Sequence, residues 1–199
     1  MKKILFLIIF ISFTLVGCAG RKVSRVSSDK QTDFSGRWND TDSKLVASEM
    51  VSQLFSASWI GDYTTEKNRK PVVIVGSIRL KESNEHINTS AFVKDIEREL
   101  INSGKVKFVA SQAERGELRQ ERLEQQSNAS IETVKRLAAE TGADFMLIGN
   151  IVTYVDEYKK KKSQFYQIDM EMINVESNEK VWIGSKEIKK LIGKKSHKW

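Results

Sequence analysis

The chain has few of the residue types that most often indicate a catalytic or metal-binding site or that rigidify a fold. It has one cysteine (Cys18), one proline (Pro71) and two histidines (His86 and His197) among 199 residues. A single cysteine excludes a disulfide within the chain, so the fold must rest on its core. One proline excludes a proline-rich rigid spacer, and the two histidines lack the spacing of metal ligands.

Familiar catalytic motifs are missing too. The sequence contains no Gly-x-Ser-x-Gly nucleophile elbow, no phosphate-binding loop and no dinucleotide fingerprint. Carboxylates are plentiful, but no pair is singled out for glycan cleavage. We therefore predict a protein that is not an enzyme and that needs no cofactor or metal.

Composition indicates one soluble domain. Charged residues make up 30% and apolar residues 40% of the chain, which is typical of a globular protein and not of a disordered one. The formal net charge is +7, and the two lysines of the N-terminal leader account for two of these charges. The remaining excess, which includes the run Lys159 to Lys162, could meet anionic lipid or an acidic partner, or form a solvated surface. No feature suggests a nucleic-acid partner.

Residues 1–18 have the pattern of a cleaved signal peptide. Lys2 and Lys3 precede an apolar run, Ile4 to Val16, that is too short for a permanent membrane-spanning helix. The next residues complete a motif, Leu15-Val16-Gly17-Cys18, that resembles the lipobox of bacterial lipoproteins. The resemblance implies cleavage between Gly17 and Cys18 and lipidation of Cys18.

The lipid would hold the domain at a membrane. Two or three acyl chains give stable anchoring, whereas one gives marginal binding. Ala19, and not Asp, follows the cysteine, which by the sorting rule of many Gram-negative bacteria implies the outer membrane, with the domain facing the periplasm. We predict a signal peptide over 1–17, a flexible tether over 18–34 and a globular domain over 35–199. The tether spans at most about 65 Å.

Apolar periodicity predicts a mixed α/β fold. The expected fold is a single small domain with a central sheet of about five strands and flanking helices. Asp40, Thr41 and Asp42 are candidate N-caps of the first helix, and the residues between 111 and 127 suit an exposed helix or a mobile arm. Helices are predicted at 42–58, 89–103 and 130–141, and strands at 71–80, 107–110, 144–158, 164–175 and 180–191.

Three segments carry a resemblance to a known family. Ser35-Gly36-Arg37-Trp38-Asn39-Asp40-Thr41-Asp42-Ser43, the strand Pro71 to Ile78 and the stretch Ala138 to Gly149 are similar to the LpoB-type activators of penicillin-binding proteins, over most of 34–192. The last stretch also resembles the N-terminal domain of TolB and the curli secretion lipoprotein. The LpoB resemblance implies a TolB-like α/β fold and a monomeric outer-membrane lipoprotein that binds and stimulates a bifunctional penicillin-binding protein, a peptidoglycan synthase.

Two points stay open at this stage. Arg37 and Trp38 are the candidate partner-binding residues, because Trp and Arg are frequent interface anchors; alternatively, Trp38 folds back onto the helix. The tether is shorter than that of the best-known family member and lacks its proline. Either the synthase extends upward, the anchor is in the inner membrane, or the partner differs. The alternative function, based on the likeness to the curli secretion lipoprotein, is a structural or assembly lipoprotein of an envelope or export complex.

Overall fold

A computed structural model describes residues 24–27, 30–83, 85–110, 114–118, 142–159 and 161–193. The chain divides into two compact units, Met1–Gln31 and Thr32–Trp199, and the second contains every element named below. None of the described helices is both long enough and apolar enough to cross a bilayer. The elements are α1 (Asp40–Ser56), α2 (Trp59–Lys67), β1 (Val72–Lys81), α3 (Thr89–Asn102), β2 (Lys107–Phe108), β3 (Phe145–Tyr158), β4 (Lys161–Asn174) and β5 (Lys180–Gly193).

The strands form one mixed sheet in the order β2-β1-β3-β4-β5. β1 is parallel to both of its neighbours, while β3, β4 and β5 form an antiparallel meander. The predicted fold, a single α/β domain with a mixed sheet of about five strands, is confirmed. The long hairpins follow from alternating sequences with β-branched and aromatic residues, which suit a half-buried sheet.

The core lies between one face of the sheet and the helices α1 and α3. Along β4, every second side chain from Gln164 to Met172 points into this core, as the alternation predicts, and these side chains are at most 2% exposed. The helices contribute apolar residues at spacings of three and four, which places them on one face. The fully buried positions include Val46, Ala47, Phe92, Ile96, Leu100, Ile151, Tyr166, Ile168, Met170 and Met172.

The first helix begins earlier than predicted, and its cap differs. α1 starts at Asp40, and the N-cap is Asn39 instead of Asp40, Thr41 or Asp42. The Asn39 side chain accepts hydrogen bonds from the backbone N–H groups of Thr41 and Asp42, and the Asp42 carboxylate accepts from the Asn39 N–H at 2.9 Å. In this reciprocal capping box, the cap residue lies three positions before the residue that supplies the carboxylate. Asn39 lies three positions before Asp42, and its backbone is extended.

Helix α2 was not predicted. Its sequence holds Gly61 and two threonines, which are weak helix formers, so tertiary packing decides its conformation. The rings of Trp59 and Tyr63 both pack edge-on against Phe145, with centroids 5.0 and 5.1 Å away. Trp59 and Tyr63 are both buried in the core, and the partly buried Trp182 packs against it.

The inward face of α3 carries Phe92, Ile96 and Leu100, which have no exposed surface, whereas Ile101 is half exposed. The predicted helix 130–141 and most of the predicted charged segment 111–127 lie outside the described residues. Residues 114–118 are helical, and Lys94 pairs with Glu114 at 2.8 Å.

The turn between β3 and β4 is short, because Lys161 and Lys162 belong to β4 and pair with Tyr158 and Glu157. Residues that pair across neighbouring strands point to the same face of a sheet. The face opposite α1 and α3 therefore receives the other alternate residues of the meander. Several of its large apolar side chains are exposed: Met146, Tyr154, Tyr158, Ile183 and Leu191.

Candidate partner-binding site

The segment Asp33–Trp38, here called the entry segment, leads into α1 through a tight turn. Asp33 Oδ1 accepts a hydrogen bond from the Gly36 N–H at 2.9 Å, and Ser35 Oγ accepts one from the Arg37 N–H at 3.3 Å. Gly36 has a φ of +69°, and a Cβ at this position would collide with the side chain of Ile192 on β5. Only glycine fits both the left-handed conformation and the close approach.

The turn at Gly36 sends the next two side chains in opposite directions. Arg37 is exposed, whereas Trp38 is half-buried. The indole packs edge-on against Phe92 at 5.7 Å and against Tyr166 at 5.5 Å between ring centroids, an arrangement that aromatic quadrupoles favour. Trp38 therefore rests on α3 and β4.

Glu85 holds the entry segment from the other side. Its Oε1 accepts a hydrogen bond from the Trp38 N–H at 2.7 Å, and its Oε2 accepts one from the Tyr166 hydroxyl at 2.7 Å and a further one from the Gln164 amide. Burial, together with the neighbouring Glu85 carboxylate, raises the pKa of Tyr166. One carboxylate thus satisfies three donors, two of which belong to buried residues.

Lys190 on β5 fixes both ends of the entry segment. Its Nζ lies 2.9 Å from Asp33 Oδ2 and 2.6 Å from Asp42 Oδ2, and it donates to the Arg37 carbonyl at 3.0 Å. Burial alone would lower the pKa of Lys190, but the hydrogen bonds to Asp42 and Asp33 outweigh burial and raise it. Lys190 is 10% exposed and Asp42 is 8% exposed at the side chain, so this ion pair is largely shielded from solvent.

The entry segment presents two side chains outward from a fixed backbone. Phe34 is 96% exposed, and Arg37 is exposed three residues later. Of the two predicted partner-binding residues, Arg37 is thus available at the surface, while Trp38 mainly supports it. Gly17 and Cys18 lie outside the described residues.

A second polar cluster surrounds Asp144. Its carboxylate receives two hydrogen bonds from the Arg69 guanidinium, each 2.7 Å long, and one from the Val72 N–H at 2.7 Å. Burial would raise the pKa of Asp144, but these hydrogen bonds lower it on balance. Burial and the nearby Asp144 carboxylate raise the pKa of Tyr63 to about 12. This cluster joins the start of β3 to the start of β1 and has a structural role.

The sheet face opposite the helices carries a groove of about 470 Å³ between β1, β3 and β4. Arg79 and Lys81 line one side, and Asp169 and Glu171 line the other. The charges of the two sides balance, so the groove has no preference for an ion of either sign. Among the residues described, no group of three or more His, Cys, Asp or Glu side chains could hold a metal ion.

Sequence reasoning missed Phe34, Glu85 and Lys190. Lys190 had a detectable signal, because it occupies an inward position in the alternation of β5, where a lysine is rarely placed without a partner. Glu85 had none, since it lies in a loop 47 residues from Trp38. The polar composition around it places Phe34 at the end of the predicted tether, 18–34.

Comparisons with known proteins match the chain to one family model and to several solved structures. The model of one family, described as peptidoglycan-synthase activator LpoB, matches residues 42–188. The LpoB C-terminal domain from Escherichia coli is 19% identical, with a TM-score of 0.47, and the match covers 74% of this chain and 98% of that domain. The corresponding domain from Salmonella enterica is 18% identical over the same shares, with a TM-score of 0.44.

The NMR structure of E. coli LpoB matches 90% of this chain and 82% of its own at 16% identity, with a TM-score of 0.43. A direct comparison with curated protein sequences finds no match. Because the family model spans well over half of the sequence, the chain belongs to the LpoB family of peptidoglycan-synthase activators.

Proposed function

We propose that the protein is a lipid-anchored regulator that binds a bifunctional penicillin-binding protein and stimulates its peptidoglycan synthesis. Membership of an activator family carries this proposal. An activator acts by binding the active state of its target more tightly than the inactive state. The chain then needs a rigid docking surface and no catalytic group of its own.

The entry segment supports the proposal because its backbone is organised before any partner arrives. Lys190 and Glu85 hold it at both ends through short hydrogen bonds, so binding would cost little conformational entropy there. Arg37 and Phe34 then offer an exposed cation and an exposed aromatic ring three residues apart. Arginine and aromatic side chains dominate the energetics of protein interfaces.

The proposed location follows from the N-terminal sequence. Lipid on Cys18 would hold the domain at the periplasmic side of the outer membrane, and Ala19 is consistent with sorting to that membrane. The expected result for a Cys18→Ser variant is loss of the protein from the membrane fraction and its recovery in the soluble periplasm. Retention of that variant in the membrane fraction would contradict lipidation at Cys18.

Capture from membrane extract tests the partner. The mature chain with Cys18→Ser serves as soluble bait, and we expect it to retain a bifunctional penicillin-binding protein and to speed its glycan polymerisation when the two are mixed. The Arg37→Ala and Phe34→Ala variants should each weaken binding at least tenfold, as interface anchors do. Arg98→Ala and Ile101→Ala, which remove one exposed arginine and one exposed apolar side chain from α3, are the matched controls.

Light scattering on the same preparation distinguishes the alternative function. A monomer that stimulates the synthase supports the proposal. A ring of several copies that captures an export protein and no synthase would instead identify an assembly lipoprotein.

A further inference from the structure

The far end of the β3–β4–β5 meander carries an exposed patch that the proposed function does not use. Pairing places three rows of residues on the face opposite the helices: Tyr154, Phe165 and Lys189; Asp156, Ser163 and Leu191; Tyr158, Lys161 and Gly193. We call this set the hairpin patch.

The hairpin patch combines apolar and basic groups with one exposed acidic residue, Asp156. Leu191 is 81% exposed, Tyr158 is 69% exposed and Tyr154 is 53% exposed. Lys161 and Lys189 are exposed beside them, and at the adjoining turn Lys159 lies over the Tyr158 ring, 5.0 Å from its centroid. Within the described part of the chain, Lys161 and Lys189 make no ion pair. Largely exposed leucine and tyrosine among lysines are typical of surfaces that dock on a lipid interface.

The same end of the domain receives the N-terminal part of the chain. Asp33 pairs with Lys190, and Gly36 closes on the side chain of Ile192. Ile192 in turn lines a groove of about 480 Å³ together with Tyr158, Lys161 and Leu191. The entry segment and the hairpin patch therefore lie at one end of the domain. Roughly 15 residues separate Asp33 from Cys18, a span of at most about 50 Å.

We propose that the hairpin patch docks the domain on an anionic phospholipid surface. Tyrosine and leucine would enter the interface, and the lysines would meet lipid phosphates. The orientation of the domain, with the hairpin patch facing the membrane that holds the lipid, rests on the proposed lipid anchor at Cys18. The binding of the patch to phospholipid does not depend on that anchor. An anionic glycan would attract the lysines equally, but it offers no apolar medium for Leu191, and the exposed leucine favours lipid.

Vesicle sedimentation with the mature chain carrying Cys18→Ser tests the inference without the covalent lipid. The protein should sediment with phosphatidylcholine vesicles that contain one third phosphatidylglycerol, and not with pure phosphatidylcholine. Added salt should release it, because screening weakens surface attraction. Each lysine at an anionic surface contributes a factor of roughly five to partitioning, and the two lysines together contribute a factor of about 25. K161E/K189E should therefore lower partitioning at least about 25-fold, because the substitution removes both cations and adds two anions.

The matched control is K105E/K107E. Lys107 lies on β2, at the other edge of the sheet from β5 and beside the start of β1, and the double substitution changes net charge by the same amount. It should bind vesicles nearly as the unsubstituted chain does. Leu191→Ser, which leaves the charge unchanged, should weaken binding about tenfold through lost apolar insertion.

Several outcomes would overturn the inference. These are no binding to anionic vesicles, equal loss in both double variants, or unchanged binding by K161E/K189E. If the unsubstituted chain does not bind vesicles and K161E/K189E no longer stimulates the synthase, the hairpin patch binds the protein partner and not lipid. Synthase stimulation can be measured in detergent solution without vesicles. A chain that stimulates the synthase but does not bind vesicles refutes only the inference about lipid. A chain that binds lipid but no synthase refutes the proposed function alone.

Discussion

Replacing Glu85 by alanine removes the acceptor that holds the entry segment against the sheet. Three donors lose their partner: the Trp38 N–H, the Tyr166 hydroxyl and the Gln164 amide. Tyr166 has no exposed surface and Gln164 is 2% exposed, so water cannot readily replace the carboxylate. We therefore expect both a loss of stability and a loosening of the segment that presents Arg37.

The expected loss of stability follows from the number of hydrogen-bond donors that are left without an acceptor. A buried donor left without a partner costs about 1–3 kcal/mol, and the low end applies because Glu85 also escapes its own desolvation. Three donors then lower the free energy of unfolding by about 3 kcal/mol. For a domain of this size, each kcal/mol moves the melting temperature by about 2–4 °C, which predicts a fall of about 9 °C.

Urea and thermal unfolding of the mature chain, followed by circular dichroism and tryptophan fluorescence, measure this loss. Glu85→Gln keeps one acceptor oxygen and should lose about half as much. Glu66→Ala is the matched control, because Glu66 is an exposed carboxylate with a single surface ion pair to Lys67, and such pairs contribute little. A loss below about 1 kcal/mol for Glu85→Ala, or one equal to that of Glu66→Ala, would refute the reasoning.

Three further predictions concern the same domain. Asp144→Asn should cost about 2 kcal/mol at neutral pH; because the folded pKa of Asp144 is lowered, this difference should persist above the unfolded pKa of about 3.9 and vanish as pH falls through the folded value, and a constant difference in urea unfolding would contradict it. Lys190→Met should cost about 3 kcal/mol by leaving Asp42 buried without its cation; since the pKa of Lys190 is raised, its stabilisation should be complete below about pH 10 and fall as pH rises through the folded value, and a pH-independent difference would be evidence against the pair. Trp38→Ala should cost about 3 kcal/mol, whereas Arg37→Ala should change unfolding by less than about 0.5 kcal/mol; equal losses in the two variants would show that the supporting and presenting roles are wrongly assigned.

Periodic segments were predicted well because local sequence and packing agree in them. The alternation of β4 identifies its inward residues correctly, and the strands of the meander begin and end within a few residues of the prediction. Helix α2 was missed because its threonines and glycine argue against a helix, and contacts with Phe145 decide otherwise. The cap of α1 was misplaced by one residue because several neighbouring side chains are equally good caps.

The candidate site was predicted in part. The pair Arg37 and Trp38 was singled out by residue type, but side-chain type alone cannot decide which residue of an adjacent pair points inward. The turn at Gly36 decides it, together with the space between Phe92 and Tyr166. The partner-binding role of Arg37 stays a prediction.

The sequence by itself determined the fold class, the inward face of the meander and the family, because each is written in local periodicity or in short motifs. Only the tertiary structure decided that Glu85 and Lys190 hold the entry segment, since these residues come from loops and strands far away along the chain. It likewise brought the entry segment and the hairpin patch to one end of the domain. Such encounters depend on sheet order and strand register, which local sequence does not encode.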